Sequence, residues 1–321
     1  MFKKGFVLIT VLVLVLGILS GCATVEDTSS DVNEGVDQEQ TNNVTETNYP
    51  LTIKDDSSKE ITINAEPKRI ISLIPSNTEI LYALGLDGRV VAVTIFDNYP
   101  VDVQERVEYV FEDGLNPNIE QIVALNPDLV ILGAHSEQLL NSIRALNISV
   151  VQFNPQSINA VYETIEKIGL ITNTNEKAQQ VIAEMKEKEQ SIVEKIANIA
   201  ETDKVRVWVE VSSDLWTSGK GTFIDELITK AGGINIVEEN GWVQYSEEKV
   251  IEANPQVIFT TYGYYTPNAV EQVLSREGWQ QVDAIVNKRV INVDNDLVSR
   301  PGPRIIDGLG EIAKILYPDQ F

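Results

Sequence analysis

An α/β fold of two similar lobes with parallel-type sheets, joined by one long helix with a cleft between them, is predicted by three features of this 321-residue sequence. Short β-branched runs alternate with helical stretches, the pattern of parallel sheets covered on both faces. That alternation restarts after residue 203, and one segment of the second half repeats a segment of the first. Between the halves lies a charged stretch free of Pro and Gly, Asn175 to Ala200. The length allows two lobes of ordinary size, each with its own core.

Residues 1–21 read as a targeting segment. Lys3 and Lys4 precede an uncharged, mostly apolar run, Gly5 to Leu19, which is shorter than the ~20 residues of a membrane span but suits a secretory leader. The run ends Leu19-Ser20-Gly21-Cys22, which resembles the lipobox of bacterial lipoproteins, where the Cys is acylated and becomes the new N-terminus. Cys22 is the chain's one Cys, so it is assigned to lipidation and no intrachain disulfide can form. Residues 22–49 are expected to form a disordered acidic tether. Ala23 to Tyr49 holds Glu26, Asp27, Asp31, Glu34, Asp37, Glu39 and Glu46 with no Lys or Arg, too little apolar surface to offset ordering entropy.

Residues 50–172 are assigned to the first lobe. Leu51-Thr-Ile and Glu60-Ile-Thr-Ile alternate in polarity around Asp55-Asp-Ser-Ser, a hairpin signal. Strands follow at Arg69-Ile-Ile-Ser-Leu and Val90-Val-Ala-Val, with a helix from Thr78 ended by Gly85 between them. Ile119 to Leu125 reads as helix, Asp128-Leu-Val-Ile-Leu as strand, Glu137 to Leu146 as helix and Ser149-Val-Val-Gln-Phe as strand. Residues 173–202 hold the connecting helix, whose Val181, Met185, Ile192 and Ile196 form an apolar stripe. Residues 203–321 form the second lobe, with strands at Val205-Arg-Val-Trp-Val-Glu-Val, Val257-Ile-Phe-Thr-Thr and Arg289-Val-Ile-Asn-Val, and helices at Thr222 to Ala231 and Ile305 to Leu316.

Glu120-Gln-Ile-Val-Ala-Leu-Asn-Pro-Asp-Leu-Val-Ile aligns with Glu248-Lys-Val-Ile-Glu-Ala-Asn-Pro-Gln-Val-Ile-Phe at a constant offset of 128. An acid, an apolar spacing, an Asn-Pro turn and a strand recur together, so the lobes are read as structural repeats.

Composition narrows function. With 25 Lys+Arg against 48 Asp+Glu the net charge is -23, which repels nucleic acid and suits a partner with basic patches. The single His, His135, excludes a metal site built from several imidazoles, and it is expected to be a solvated loop residue. Ser218-Gly-Lys-Gly-Thr superficially suggests a phosphate loop, but the earlier Gly that motif requires is Asp214 here. No Gly-x-Ser-x-Gly elbow or His-bearing triad signature is present. No enzyme activity, catalytic residue, metal or resident cofactor is therefore expected.

Several longer strings carry a family resemblance. They are Arg69-Ile-Ile-Ser-Leu-Ile-Pro-Ser-Asn-Thr-Glu-Ile-Leu-Tyr-Ala-Leu-Gly, Gly114-Leu-Asn-Pro-Asn-Ile-Glu-Gln-Ile-Val-Ala-Leu-Asn-Pro-Asp-Leu-Val-Ile, Thr217-Ser-Gly-Lys, Ala231-Gly-Gly-Ile-Asn-Ile-Val, Trp242-Val-Gln-Tyr-Ser-Glu-Glu and Asp296-Leu-Val-Ser-Arg-Pro-Gly-Pro-Arg. From about residue 67 to the end, the chain resembles the siderophore- and cobalamin-binding family of periplasmic binding proteins. The resemblance implies an extracytoplasmic solute-binding lipoprotein of an ABC importer, anchored to the cell membrane and acting as a monomer. It would deliver a small-molecule ligand to a permease dimer with its ATPase subunits. It also implies that Glu120 and Glu248 dock to permease Arg residues.

The cobalamin-binding members are matched at further positions. Phe96 falls at a ligand-stacking aromatic, and Trp242, Asp296 and Arg300 match a Trp, an Asp and an Arg. Trp216, Lys220 and Tyr262 complete the candidate ligand set. A corrin is a wide ring rimmed by amides, so aromatic surfaces and a few hydrogen-bonding groups suit it. Asp296 and Arg300 are four apart and could instead pair with each other; Pro301 and Pro303 argue for a loop there. Two further Trp positions fall on or near Glu112 and Gly133, which keeps another corrinoid, a ferric siderophore or haem open as the ligand.

Overall fold

The structure is a computed structural model that describes residues 46–321. The expected leader, Cys22 and nearly all of the tether lie outside the described residues. Thr47 and Tyr49, assigned to the tether from sequence, are bonded to the first lobe: the Thr47 amide donates to Asn173 Oδ1 at 2.8 Å, and the Tyr49 hydroxyl to the Ile171 carbonyl at 2.7 Å. No helix among the described residues is long and apolar enough to cross a membrane.

The first lobe opens with the antiparallel hairpin β1 (Leu51–Lys54) and β2 (Glu60–Ile63). It continues through β3 (Ile70–Ser72), α1 (Pro75–Ala83), β4 (Val90–Thr94), β5 (Tyr109–Phe111), α2 (Ile119–Ala124), β6 (Leu129–Leu132), α3 (Glu137–Arg144), β7 (Ser149–Gln152) and α4 (Ile158–Thr172). The sheet is parallel throughout, in the order β5-β4-β3-β6-β7. α5 (Asn175–Ile196) follows, about 33 Å long. Its buried stripe of Ala178, Val181, Met185, Ile192 and Ile196 packs on α4 and on the last helix of the second lobe.

The second lobe contains β8 (Arg206–Glu210), β9 (Trp216–Ser218), α6 (Phe223–Lys230), β10 (Ile234–Asn235), β11 (Trp242–Gln244), α7 (Glu247–Ala253) and β12 (Val257–Thr260). After these come α8 (Ala269–Leu274), α9 (Asp283–Val286), β13 (Val290–Asn292), α10 (Asn295–Ser299) and α11 (Ile305–Leu316). Its main sheet is parallel, in the order β10-β8-β12-β13, and β9 pairs with β11 as a separate antiparallel ribbon. One apolar core runs from the first sheet through α4, α5 and α11 into the second sheet. The outer face of each sheet has its own smaller core, around Ile122 and Val130 in the first lobe and Trp208 and Trp279 in the second.

In both sheets the strand order reverses direction, between β3 and β6 in the first and between β8 and β12 in the second. Loops diverge at the carboxyl ends of strands on either side of such a point and leave a crevice there. The repeat is equally regular. α2 is capped by the Asn118 side chain and α7 by that of Ser246. Each helix is followed by a left-handed Asn before Pro: Asn126 at φ 46° and Asn254 at φ 45°, a conformation Asn tolerates through its short polar side chain.

Candidate functional site

The two crevices face each other across a cavity of about 940 Å³. The segment after β3 contributes Ile74, Pro75 and Ser76, and the segment after β4 contributes Ile95, Phe96 and Asn98. From the second lobe come Thr261, Gly263 and Tyr264 after β12, Asn292 at the end of β13, and Val293 to Asp296 with Arg300 after it. All lie at or after strand ends, where a rigid sheet holds a loop without burying it.

Phe96 is 63% exposed in this wall. The turn presenting it is held by Asp97, whose Oδ2 accepts from the Thr94 amide at 2.8 Å and the Thr94 hydroxyl at 2.6 Å. Burial pushes the Asp97 carboxyl above its ordinary range, against hydrogen bonds from Thr78 and Thr94 that pull it down. Glu311, also in the wall, is pushed up by burial and by the nearby Asp294. The wall holds the acids Asp294, Asp296 and Glu311 against one cation, Arg300.

That cation is already engaged. Arg300 Nη1 donates to Glu79 Oε1 and to Asn98 Oδ1, each at 2.8 Å, and Nη2 pairs with Asp296 Oδ1 at 2.8 Å. Asn98 Nδ2 donates to Asp296 Oδ2 at 2.7 Å. Asp296 and Arg300 therefore do pair, and the loop expected around them begins as the short helix α10, with Asp296 in its first turn. Proline at 301 stops the helix at Ser299, consistent with its restriction of the preceding residue.

Trp216 and Trp242 are on the β9–β11 ribbon. Trp216 faces Gln244 and Trp242 faces Ser218 in the register, so both indoles project from one face. They are exposed, at 40% and 53%, and lie outside the cavity wall. Lys220, at the end of the same ribbon, is exposed and also outside that wall. Tyr262 requires a correction. It is wholly buried, and its hydroxyl donates to Glu210 Oε1 at 2.5 Å, beside the paired Arg276. Tyr264 lines the cavity instead and meets Tyr265 edge-on at 4.8 Å between ring centroids. Arg276 already bonds both oxygens of the buried Glu210 carboxylate, and the Tyr262 hydroxyl adds a second donor to Oε1, so its own buried oxygen finds a partner inside the lobe.

Glu120 and Glu248 are exposed in the first turns of α2 and α7. A helix that feeds a parallel strand starts at the carboxyl end of the sheet, so both acids rise at the cleft-side end of their lobes. One turn further on, each helix exposes an aliphatic side chain, Val123 at 48% and Ile251 at 37%. His135 is buried, not solvated: its Nδ1 accepts from the Gly133 amide at 3.1 Å, and its Nε2 bonds to the Gly114 carbonyl at 2.7 Å. At Gly133 a Cβ would come within 2.5 Å of Ile74 Cδ1, so Ile74 fills the space where a larger side chain could stand. Among the described residues no group of three or more His, Cys, Asp or Glu side chains is arranged to hold a metal ion.

The sequence reading missed Glu79, Asn98 and Arg304. The carboxylate of Glu79 accepts from Arg300 and also from Arg304 Nε at 3.0 Å and Nη2 at 2.7 Å. Glu79 and Arg304 stand in two of the strings that carry the family resemblance, but their separation of 225 residues conceals the contact.

Residues 70–297 match the family described as periplasmic binding protein. The chain is 41% identical over 283 residues to the ABC transporter substrate-binding lipoprotein YvrC of Bacillus subtilis, covering 85% of this chain and 87% of that protein. It is 30% identical over 243 residues to the vitamin B12-binding protein of Salmonella paratyphi A, covering 74% of this chain and 86% of that one. A solved structure described as a possible iron-binding, periplasmic solute-binding protein from Staphylococcus epidermidis superposes with a TM-score of 0.71 at 34% identity. It covers 79% of this chain and all of that one. With two facing α/β lobes, a cleft at their switch points and most of its length matched, the chain belongs to the periplasmic binding protein family.

Proposed function

We propose that the protein is the extracytoplasmic solute-binding component of an ABC importer, held to the membrane through an acylated Cys22, and that its solute is a corrinoid of the cobalamin type. The carrying observation is the chemistry of the cavity. It is large for a small-molecule site, with Phe96 and Tyr264 as flat apolar surfaces and Ser76, Asn98, Thr261 and Asn292 as neutral hydrogen-bonding groups. Its one cation is neutralised by Glu79 and Asp296. A corrin rimmed by amides suits such a wall, and a vitamin B12-binding relative supports it.

A ferric chelate is the second reading, favoured by the likeness to a possible iron-binding protein. The excess of acids in the wall opposes haem, with its carboxylates, and opposes carboxylate-rich chelates. Within this reading a neutral or cationic ferric hydroxamate is the better candidate.

Delivery would use Glu120 and Glu248 against basic sites on the two halves of a permease dimer, with Val123 and Ile251 beside them as apolar contacts. A single chain that carries the same acid and aliphatic pair twice suits a partner with twofold symmetry.

Tryptophan emission of the full chain is the test. Trp216 and Trp242 are exposed, whereas Trp208 and Trp279 are buried in the second lobe. Cyanocobalamin and cobinamide are expected to give saturable partial quenching at micromolar concentration. No response to either corrinoid, alongside quenching by a ferric hydroxamate, would transfer the assignment to the second reading.

A further inference from the structure

The two lobes are bridged by a side-chain network that joins the candidate ligand residues Asp296 and Arg300 to Glu79, Asn98 and Arg304, which belong to no candidate set. At its centre is Glu79 on α1, 3% exposed, whose carboxylate belongs to the first lobe while all three of its charged donors belong to the second. Arg304 reaches it through two parallel bonds, the fork geometry in which a guanidinium binds a carboxylate most strongly. The segment between the two arginines is pressed onto α1. A Cβ on Gly302 would stand 3.3 Å from both Glu79 Oε2 and the Ser76 carbonyl. The Arg304 guanidinium also lies 4.1 Å over the ring of Tyr99.

The position of this network is informative. Arg300 lines the cleft cavity, while Glu79 and Arg304 line a second cavity of about 420 Å³ together with Tyr82, Tyr99 and Arg106. The bridge thus lies between the two voids. Its charges balance, with Glu79 and Asp296 against Arg300 and Arg304. Arg300 commits Nη1 to two hydrogen bonds and pairs with Asp296 through Nη2, which leaves its Nε–H for a solute.

We propose that Glu79 is the positioning residue of the cleft: it pins the Arg300–Arg304 segment of the second lobe to α1 of the first, and so sets both the closure of the lobes and the aim of Arg300 at the bound solute. The part concerning solute rests on the solute-binding reading above; the part concerning the lobes does not. Without the carboxylate, two half-buried arginines stand side by side with only Asp296 to balance them. Burial makes such an imbalance costly, and the segment opens to water.

The experiment compares the full chain with Glu79→Gln, Arg304→Lys and, as a control, Glu210→Gln. The control removes an equally buried carboxylate whose partner, Arg276, lies in the same lobe. In solute-free protein, amide exchange in residues 76–82 and 300–304 is expected to accelerate at least about tenfold in Glu79→Gln, because local opening then costs less. Arg304→Lys keeps the charge and loses the fork, so it should move the same segments by less, and it carries the test if Glu79→Gln does not fold. Glu210→Gln should leave both segments unchanged relative to the rest of the protein. Dissociation of cyanocobalamin, followed by tryptophan emission, should be about tenfold faster in Glu79→Gln. Unchanged exchange in both segments of a folded Glu79 or Arg304 variant overturns the proposal, as does equal acceleration in the Glu210 control. If the parent protein does not bind cyanocobalamin at all, the corrinoid reading fails and the exchange result alone decides the role of Glu79.

Discussion

Phe96 and Tyr262 each follow a strand that ends at the cleft, yet one is presented to solvent and the other is buried under its own lobe. Their substitutions separate accordingly. Phe96→Ala should weaken corrinoid binding by about 1–3 kcal/mol, the scale of losing an aromatic anchor, with little change in stability; titration and denaturant melts on the same variant check this. Tyr262→Phe should do the reverse. It removes a bond to the buried Glu210 side chain, costs about 1–3 kcal/mol of stability and leaves binding intact, since Arg276 still holds that side chain through two bonds. Asp97 adds a pH dependence. Because burial raises its carboxyl above the ordinary 3.8, the native state holds a proton that the unfolded chain has already released. Asp97 therefore costs stability progressively as pH rises from that ordinary value through the raised one. Asp97→Asn can still accept from Thr94 and carries no charge. Its urea midpoint should gain on the parent's across this rise and match it most closely at acid pH; a constant difference would refute the cause.

At the scale of elements, α2 and α7 are the informative pair. Each is short, capped by a side chain, anchored by one buried aliphatic residue, Ile122 or Val250, and ended by a left-handed Asn. Such helices could carry an acid in the first turn simply because the helix dipole favours it. What that explanation leaves out is the repetition of the exposed Val123 and Ile251 at the same step. Replacing Glu120 and Glu248 together by Ala should leave solute affinity unchanged and abolish uptake, since desolvated charge pairs across an interface couple by ~1.5–7 kcal/mol. Paired titration and transport assays on one double variant check it, and normal transport with normal expression would return both acids to a helix-end role.

For the whole molecule, charge and attachment are linked. A chain of net charge -23 is repelled by anionic lipid surfaces, so its retention at a membrane would depend on the acyl group. Cys22→Ser should abolish fatty-acid labelling and move the protein to the soluble fraction with its solute affinity intact. Continued labelling and unchanged detergent partitioning would disprove the assignment. The lobes themselves share one continuous core through α5 and α11, and on the side of the cleft the Glu79 network spans the gap.

Strands, the connecting helix and the repeat were legible in the sequence because each is written in local periodicity. The stripe of Val181, Met185, Ile192 and Ile196 on α5 is buried as its spacing required. Less local elements were not legible: the β9–β11 ribbon and the short edge strands β5 and β10 have too few residues for a period to register. At the cleft, sequence resemblance directed attention to Phe96, Asp296 and Arg300, all of which line the cavity. It could not separate Tyr262 from Tyr264, because the partner that the inward ring finds is a buried carboxylate 52 residues away. Nor could it join Glu79 to Arg304. The order of elements and the chemical types available at the site were determined by the sequence alone. Which side chains meet across the lobes was decided only by the tertiary structure, because chain separation carries no information about a contact made through space.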